Sequence, residues 1–216
     1  MKTRIGFSLL ALLLTLSACS LPKFGPGEAE QPTSSVLFQD DFSDPLSGWA
    51  RIEDAEDITD YHDGQYMIYV GATNRDVWAN PGLEFTDSFN EVEATKIAGD
   101  NNNVFGLICR YQDVENFYFF VISSDGYYGI GKMSGGTQML IGTQSMPPSE
   151  IIVQGQGTNH IRAGCVGSTL TLIVNGETLA EYEDTEFTSG DVGLLAGSFN
   201  NPGTEIYFDN FQALRP

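Results

Sequence analysis

The stretch Asn116–Met133, NFYFFVISSDGYYGIGKM, leaves this chain little choice. Two short runs rich in aromatic and β-branched residues flank Asp125-Gly126, a dipeptide that readily takes the positive φ values of a tight type I′ turn. The pattern recurs in TLTLIVNGETLAEYED, where Leu170, Leu172 and Val174 alternate before an Asn175-Gly176 corner. Further strand-like runs are SVLFQDDFS, GQYMIYVGA, SFNEVEATKIA, VFGLICRYQD, HIRAGCVG, DVGLLAGSF and TEIYFDNFQAL. No window of 11 or more residues keeps a helical period of apolar positions. Many short strands with Gly, Asn and Asp corners predict an all-β protein. About ten to thirteen strands favour a two-sheet antiparallel jelly-roll sandwich over a small barrel.

The amino end follows other rules. Lys2 and Arg4 precede an apolar run from Ile5 to Leu16, too short for the roughly 20 residues a membrane-spanning helix needs. A charged start, a short apolar middle and small residues before a cut describe a secretory signal peptide over 1–18. The tetrad Leu16-Ser17-Ala18-Cys19 resembles the lipobox of bacterial lipoproteins, which implies cleavage before Cys19 and its lipidation. Two or more acyl chains hold a protein stably on a membrane, each buried CH₂ contributing about 0.8 kcal/mol. Residues 19–35, rich in Pro and Gly, read as a flexible tether, and 36–216 as one domain. The expected location is the cell envelope, lipid-anchored and facing the exterior or periplasm.

Loss of the leader leaves 8 basic against 29 acidic residues, so the formal charge moves from −19 to −21. Such a chain repels phosphate backbones, and nucleic acid is excluded as a partner. Two cysteines remain beyond the anchor, Cys109 and Cys165, both in strand-like runs. In an oxidising exterior they suggest one disulfide, with two buried thiols as the alternative.

The order DDFSDPLSGW, DGQY, FGLICRYQDVENFYFFVISSDGYYGIGK, HIRAGCVGSTLTLIVNGE, GDVGLLAG, YFDNF resembles the concanavalin A-like lectin/glucanase sandwiches. Within these it is similar to laminin-G-like and 3-keto-disaccharide hydrolase-like domains of bacterial secreted proteins. The resemblance covers about 36 to 216. It implies the sandwich but no single activity, because one fold hosts lectins, hydrolases and adhesion modules.

Enzyme motifs are sparse. The E-x-D-x-x-E strand of glucanases on this fold is missing, as are G-x-S-x-G and H-E-x-x-H, and His62 and His160 stand apart in sequence. Glu91 and Glu93 share one strand face at roughly 7 Å, a pairing that a solvated surface explains as well as catalysis. Binding has more material. Phe105, Leu107, Cys109 and Tyr111 share one face of their strand, and Gly106, Ile108 and Arg110 the other. If the second face is concave, Glu93, Arg110, Tyr128 and Lys132 line a groove with Trp78 at its rim, suited to carbohydrate or another extracellular ligand. Otherwise Glu93–Arg110 is a cross-strand ion pair and Trp78 is core. Trp49 reads as structural. A structural calcium ion is expected only if the first and last strands are neighbours and bring Asp41 to Asp209, and two acids fall short of its six to eight oxygens.

The expectation is therefore a tethered, non-catalytic ligand-binding sandwich. A glycoside-active enzyme and a protein-binding adhesion module are the alternatives.

Overall fold

A computed structural model describes residues 35–54 and 56–216; the leader, Cys19 and all of the tether except Ser35 lie outside them. Among the described residues there are fifteen strands and no helix. The first five are β1 Val36–Asp40, β2 Ile52–Glu53, β3 Asp57–His62, β4 Gln65–Val70 and β5 Arg75–Ala79. The long central ones follow: β6 Ser88–Ala98, β7 Asn103–Asp113, β8 Asn116–Ile122, β9 Tyr128–Ser134 and the short β10 Thr137–Leu140. The last five are β11 Thr158–Val166, β12 Thr169–Val174, β13 Glu177–Glu183, β14 Asp191–Ser198 and β15 Thr204–Leu214. The strands beyond the expected count are short or charged: β2 has two residues, and Asp57 and Asp60 blur the alternation of β3.

Nine strands form one antiparallel sheet in the order β13-β12-β11-β6-β15-β4-β3-β2, with β1 also paired to β15. Six form the other, in the order β10-β9-β8-β7-β14-β5. The chain is an all-β, two-sheet sandwich, and its first and last strands are neighbours. Alternation explains the layering: Phe105, Leu107, Tyr118, Phe120, Ile130 and Leu194 point inward from the six-stranded sheet to meet Ile68, Val92, Leu172 and Phe208 from the other. Cys109 on β7 and Cys165 on β11 are joined in a disulfide that ties the sheets together across this core. Trp49 closes one end. Its indole donates to the buried Asp40 carboxylate at 2.9 Å, and its ring meets Phe42 and Phe211 edge-on.

The turns sort by how many residues must take positive φ. Asn175 and Gly176 both do (51° and 88°), as a two-residue type I′ hairpin requires. At Asp125-Gly126 only Gly126 does (95°), and the turn is longer: Gly126 N–H bonds to Ser123 carbonyl, and Ser123 N–H to Tyr127 carbonyl. The hairpin was legible, its turn type was not.

One irregularity redirects side chains. In β7, Tyr111 pairs with Asp191 and Ile108 with Gly193, so Cys109 and Arg110 together face Val192. Arg110 takes φ 51°, making a β-bulge. The extra residue resets the alternation beyond it.

Candidate functional site

The outward face of the six-stranded sheet is unusual because it is also apolar. Val104 and Ile108 of β7, Phe117, Phe119 and Val121 of β8, and Leu195 of β14 form a second buried cluster, with Trp78, Tyr111 and Met133 partly covered beside it. Because of the bulge, Tyr111 lies on this face and not with the inner set expected from strict alternation; its ring is 5.5 Å from Phe117, and Trp78 is 5.3 Å from the same ring.

This face is concave. Strands β10 and β5 are the two opposite edges of the sheet, yet Gln138 on β10 donates a hydrogen bond to Asp76 on β5 at 3.1 Å. Edge side chains can meet only if the sheet curls toward its outer face. Beneath that bridge lies a cavity of about 400 Å³, floored by Val104, Val121 and Leu195 and walled by Phe119, Met146 and Phe199. The size falls within the usual range for ligand pockets.

Glycines keep it open. A Cβ on Gly197 of β14 would stand 2.0 Å from Asp76 Oδ1, and one on Gly131 of β9 would stand 2.2 Å from Phe119 Cζ. Hydrogen at these two positions lets a carboxylate and a ring lie flat on the sheet. Asp76 is consequently desolvated, and burial holds its carboxyl above its ordinary pKa against the opposing pull of the Gln138 bond. Its neighbour Arg75 is committed elsewhere, to Asp57 at 2.5 Å. Among the described residues no basic side chain pairs with Asp76.

Two more hollows adjoin the central one. The first, about 300 Å³, shares Arg75 and Asp76 with it and is bounded by Trp78, Tyr111 and Val114. The second, about 540 Å³, shares Met146 and Phe199 and is bounded by Asn102, Asp125 and Tyr127. Of nine exposed large apolar side chains among the described residues, Ile52, Val114, Tyr127, Met139 and Phe199 line these three hollows. Such a concentration marks a contact surface.

The five residues expected to line a groove are not brought together. Trp78 does stand on the concave face. Glu93 projects from the outer side of the opposite sheet, where Asn210 donates to it at 3.2 Å, so it meets Arg110 neither as groove partner nor as ion pair. Arg110 is almost completely buried, and its guanidinium donates to Thr86 carbonyl (3.0 Å), Phe187 carbonyl (2.9 Å) and Asp87 (3.1 Å). The bulge turns it away from the face it would otherwise share with Ile108. Tyr128 points inward against the main core. Lys132 also alternates inward, into ion pairs with Asp184 at 2.5 Å and Glu186 at 2.8 Å. Burial alone would lower its pKa, but the hydrogen bonds to Asp184 and Glu186 outweigh that and raise it.

Elsewhere, Glu91 faces Arg162 at 3.5 Å. Asp41 caps its own turn, with Ser43 Oγ and N–H both donating to it and lowering its pKa. Asp209 accepts the N–H of Asn210. Asp41 follows Asp40, which pairs with Phe211, so the two acids lie at one end of the sandwich with separate local partners. Among the described residues no group of three or more His, Cys, Asp or Glu is gathered as a metal site.

Sequence reasoning missed Asp76 and Gln138. The signal available was the alternating pair Gly129/Gly131 on β9 and Gly197 beyond Leu195 on β14, each leaving room on the outward face.

No family model matches the chain, and no curated protein sequence matches it. Solved structures do. A carbohydrate-binding module, CBM66, from Bacillus subtilis superposes with a TM-score of 0.63 at 15% identity, covering 78% of this chain and 96% of that one. A xylan β-1,4-xylosidase from Bacillus halodurans C-125 gives 0.60 at 13% identity, covering 88% of this chain and 41% of that one. A Bacteroides ovatus mixed linkage glucan GH16 protein, in complex with a G4G4G3G product, gives 0.59 at 9% identity, covering 83% and 100%. At these identities the likeness is one of fold.

Proposed function

We propose that this chain is a lipid-anchored envelope protein whose sandwich holds a carbohydrate ligand in the concave face of its six-stranded sheet without turning it over. The carrying observation is the Gln138–Asp76 bridge over an aromatic-walled cavity. Trp78, Tyr111, Tyr127 and Phe199 supply the flat apolar faces on which sugar C–H surfaces stack, while Asp76, Gln138 and Asn74 supply directional polar groups. A carbohydrate-binding module and two glycoside-directed proteins among the structural neighbours are consistent with a glycan ligand. Binding is favoured over hydrolysis because the central cavity carries a single carboxylate, Asp76, among its described lining residues. Glycoside hydrolysis in its usual form needs two, about 5 to 9.5 Å apart.

The test screens the purified domain on a glycan array and assays reducing-sugar release on the same ligands. Stable binding without release is expected, and Trp78→Ala should weaken it about tenfold, as loss of an aromatic anchor does at a binding hot spot. Release of reducing sugar would establish the glycoside-active alternative instead. Anchoring is tested separately: Cys19→Ala should abolish incorporation of labelled palmitate, and labelling that persists would refute the lipobox reading.

A further inference from the structure

We propose that the ligand is a linear glycan bearing free amino groups, and that Asp76 is the residue that selects them. This rests on the carbohydrate reading above and narrows it. Asp76 lies on the groove surface against Gly197, and its one side-chain hydrogen-bond partner is the neutral amide of Gln138. Elsewhere the buried carboxylates of Asp40 and Asp191 each collect three hydrogen-bond donors and that of Asp57 a cation, whereas the partly buried Asp76 has neither. Arg75 does not supply the cation, being held by Asp57 at 2.5 Å. The remaining charged group lining the hollows, Asp125, is also acidic and takes only a hydroxyl bond from Ser123.

An ammonium entering the central cavity would displace the Gln138 amide and form a charge-assisted hydrogen bond with Asp76, roughly twice as strong as a neutral one. The raised carboxyl pKa fits an anion short of positive charge. Chain length follows from the shared walls. The flanking hollows join the central one through Asp76 on one side and Phe199 on the other, so the surface accommodates consecutive units of a polymer and not one sugar. An anionic polymer would meet Asp76 and Asp125, an Arg75 already paired with Asp57, and a chain of formal charge −19.

Three hexamers of equal length separate the outcomes: a glucosamine oligomer, its fully N-acetylated counterpart and a neutral β-glucose oligomer, each titrated by calorimetry at pH 7. The glucosamine hexamer should bind at least tenfold more tightly than the other two. Asp76→Asn should remove that preference. Gln138→Lys, which places a tethered ammonium on Asp76, should also remove it. Glu181→Gln, on an exposed edge strand of the other sheet, controls for attraction to the acidic surface as a whole and should change nothing.

Equal binding of all three hexamers, or a preference that Asp76→Asn leaves intact, overturns the amine assignment but not carbohydrate binding. Failure of all three to bind also overturns it, and carbohydrate binding itself then falls only if the wider glycan array is blank. Equal losses from Asp76→Asn and Glu181→Gln would reduce the effect to bulk charge and overturn the site.

Discussion

Two charged residues of the six-stranded sheet live in opposite circumstances. Arg110 is nearly sealed from solvent and spends its guanidinium on three partners from two separate loops. Asp76 is desolvated too, yet one amide is all it receives. Lys132 belongs with Arg110: two carboxylates surround it, and Tyr118 adds a hydroxyl to Asp184 at 2.6 Å. The sheet thus has an end where charge is used up in holding loops and a concave face where charge is left wanting. A saturated group holds the fold together. An unsaturated one is the place to look for a ligand.

The strongest way to probe the saturated end is to cut the covalent bond beside it. The Cys109–Cys165 bridge closes a separation of 56 residues, which the chain-entropy model values at about 4 kcal/mol. Replacing both cysteines by alanine should lower Tm by roughly 8–16 °C for a domain of this size. Binding in the groove, on the other side of the sheet, should survive in the folded fraction. Loss of affinity without loss of Tm would mean that the two regions are not separate.

Arg110→Ala comes next. Two carbonyls and Asp87 lose their donor, at a cost of roughly 2–4 kcal/mol. Arg110→Lys should recover little of it, because one ammonium cannot reach three acceptors arranged around a planar fork. Thermal melts and ligand titrations on the same samples check both claims, and intact stability with lost binding would return Arg110 to the ligand site.

That reversal shows how far a sequence can be read here. The sandwich and its two cysteines' strands were legible because alternation, turn dipeptides and strand lengths are local properties. The face of Gly106 and Ile108 was also legible, and Trp78 with it. The occupants of that face were not. A single bulged residue, Arg110, moves itself off the sheet and brings Tyr111 onto it, and nothing in FGLICRYQD announces the insertion. Glu93 was assigned by face without knowledge of its sheet, which depends on pairings between strands more than 60 residues apart. Asp76 and Gln138 lie on opposite edges and meet only because the sheet curls. Curvature is a collective property, and no local window contains it.

The subtlest expectation concerns Asp76 and pH. Its folded pKa is raised above the ordinary value near 3.8, so the folded state binds its proton more tightly than the unfolded chain does. Between those two values folding takes up a proton, and stability therefore falls as pH rises through the window. Asp184 behaves oppositely: burial pushes its pKa up, but its bonds with Lys132 and Tyr118 prevail and lower it. Its contribution is present above 3.8 and fades as pH falls through the lowered folded value. Asp76→Asn should accordingly be more stable than the parent at neutral pH, by about 1–2 °C in Tm, with the gap closing in acid where both side chains are neutral. Asp184→Asn should instead be less stable at neutral pH and converge on the parent in acid. Melting curves of the two variants from pH 3 to pH 7 would therefore run in opposite directions. If Asp76→Asn were destabilised at neutral pH, Asp76 would be a satisfied structural group like Arg110, and the contrast between the two regions would collapse.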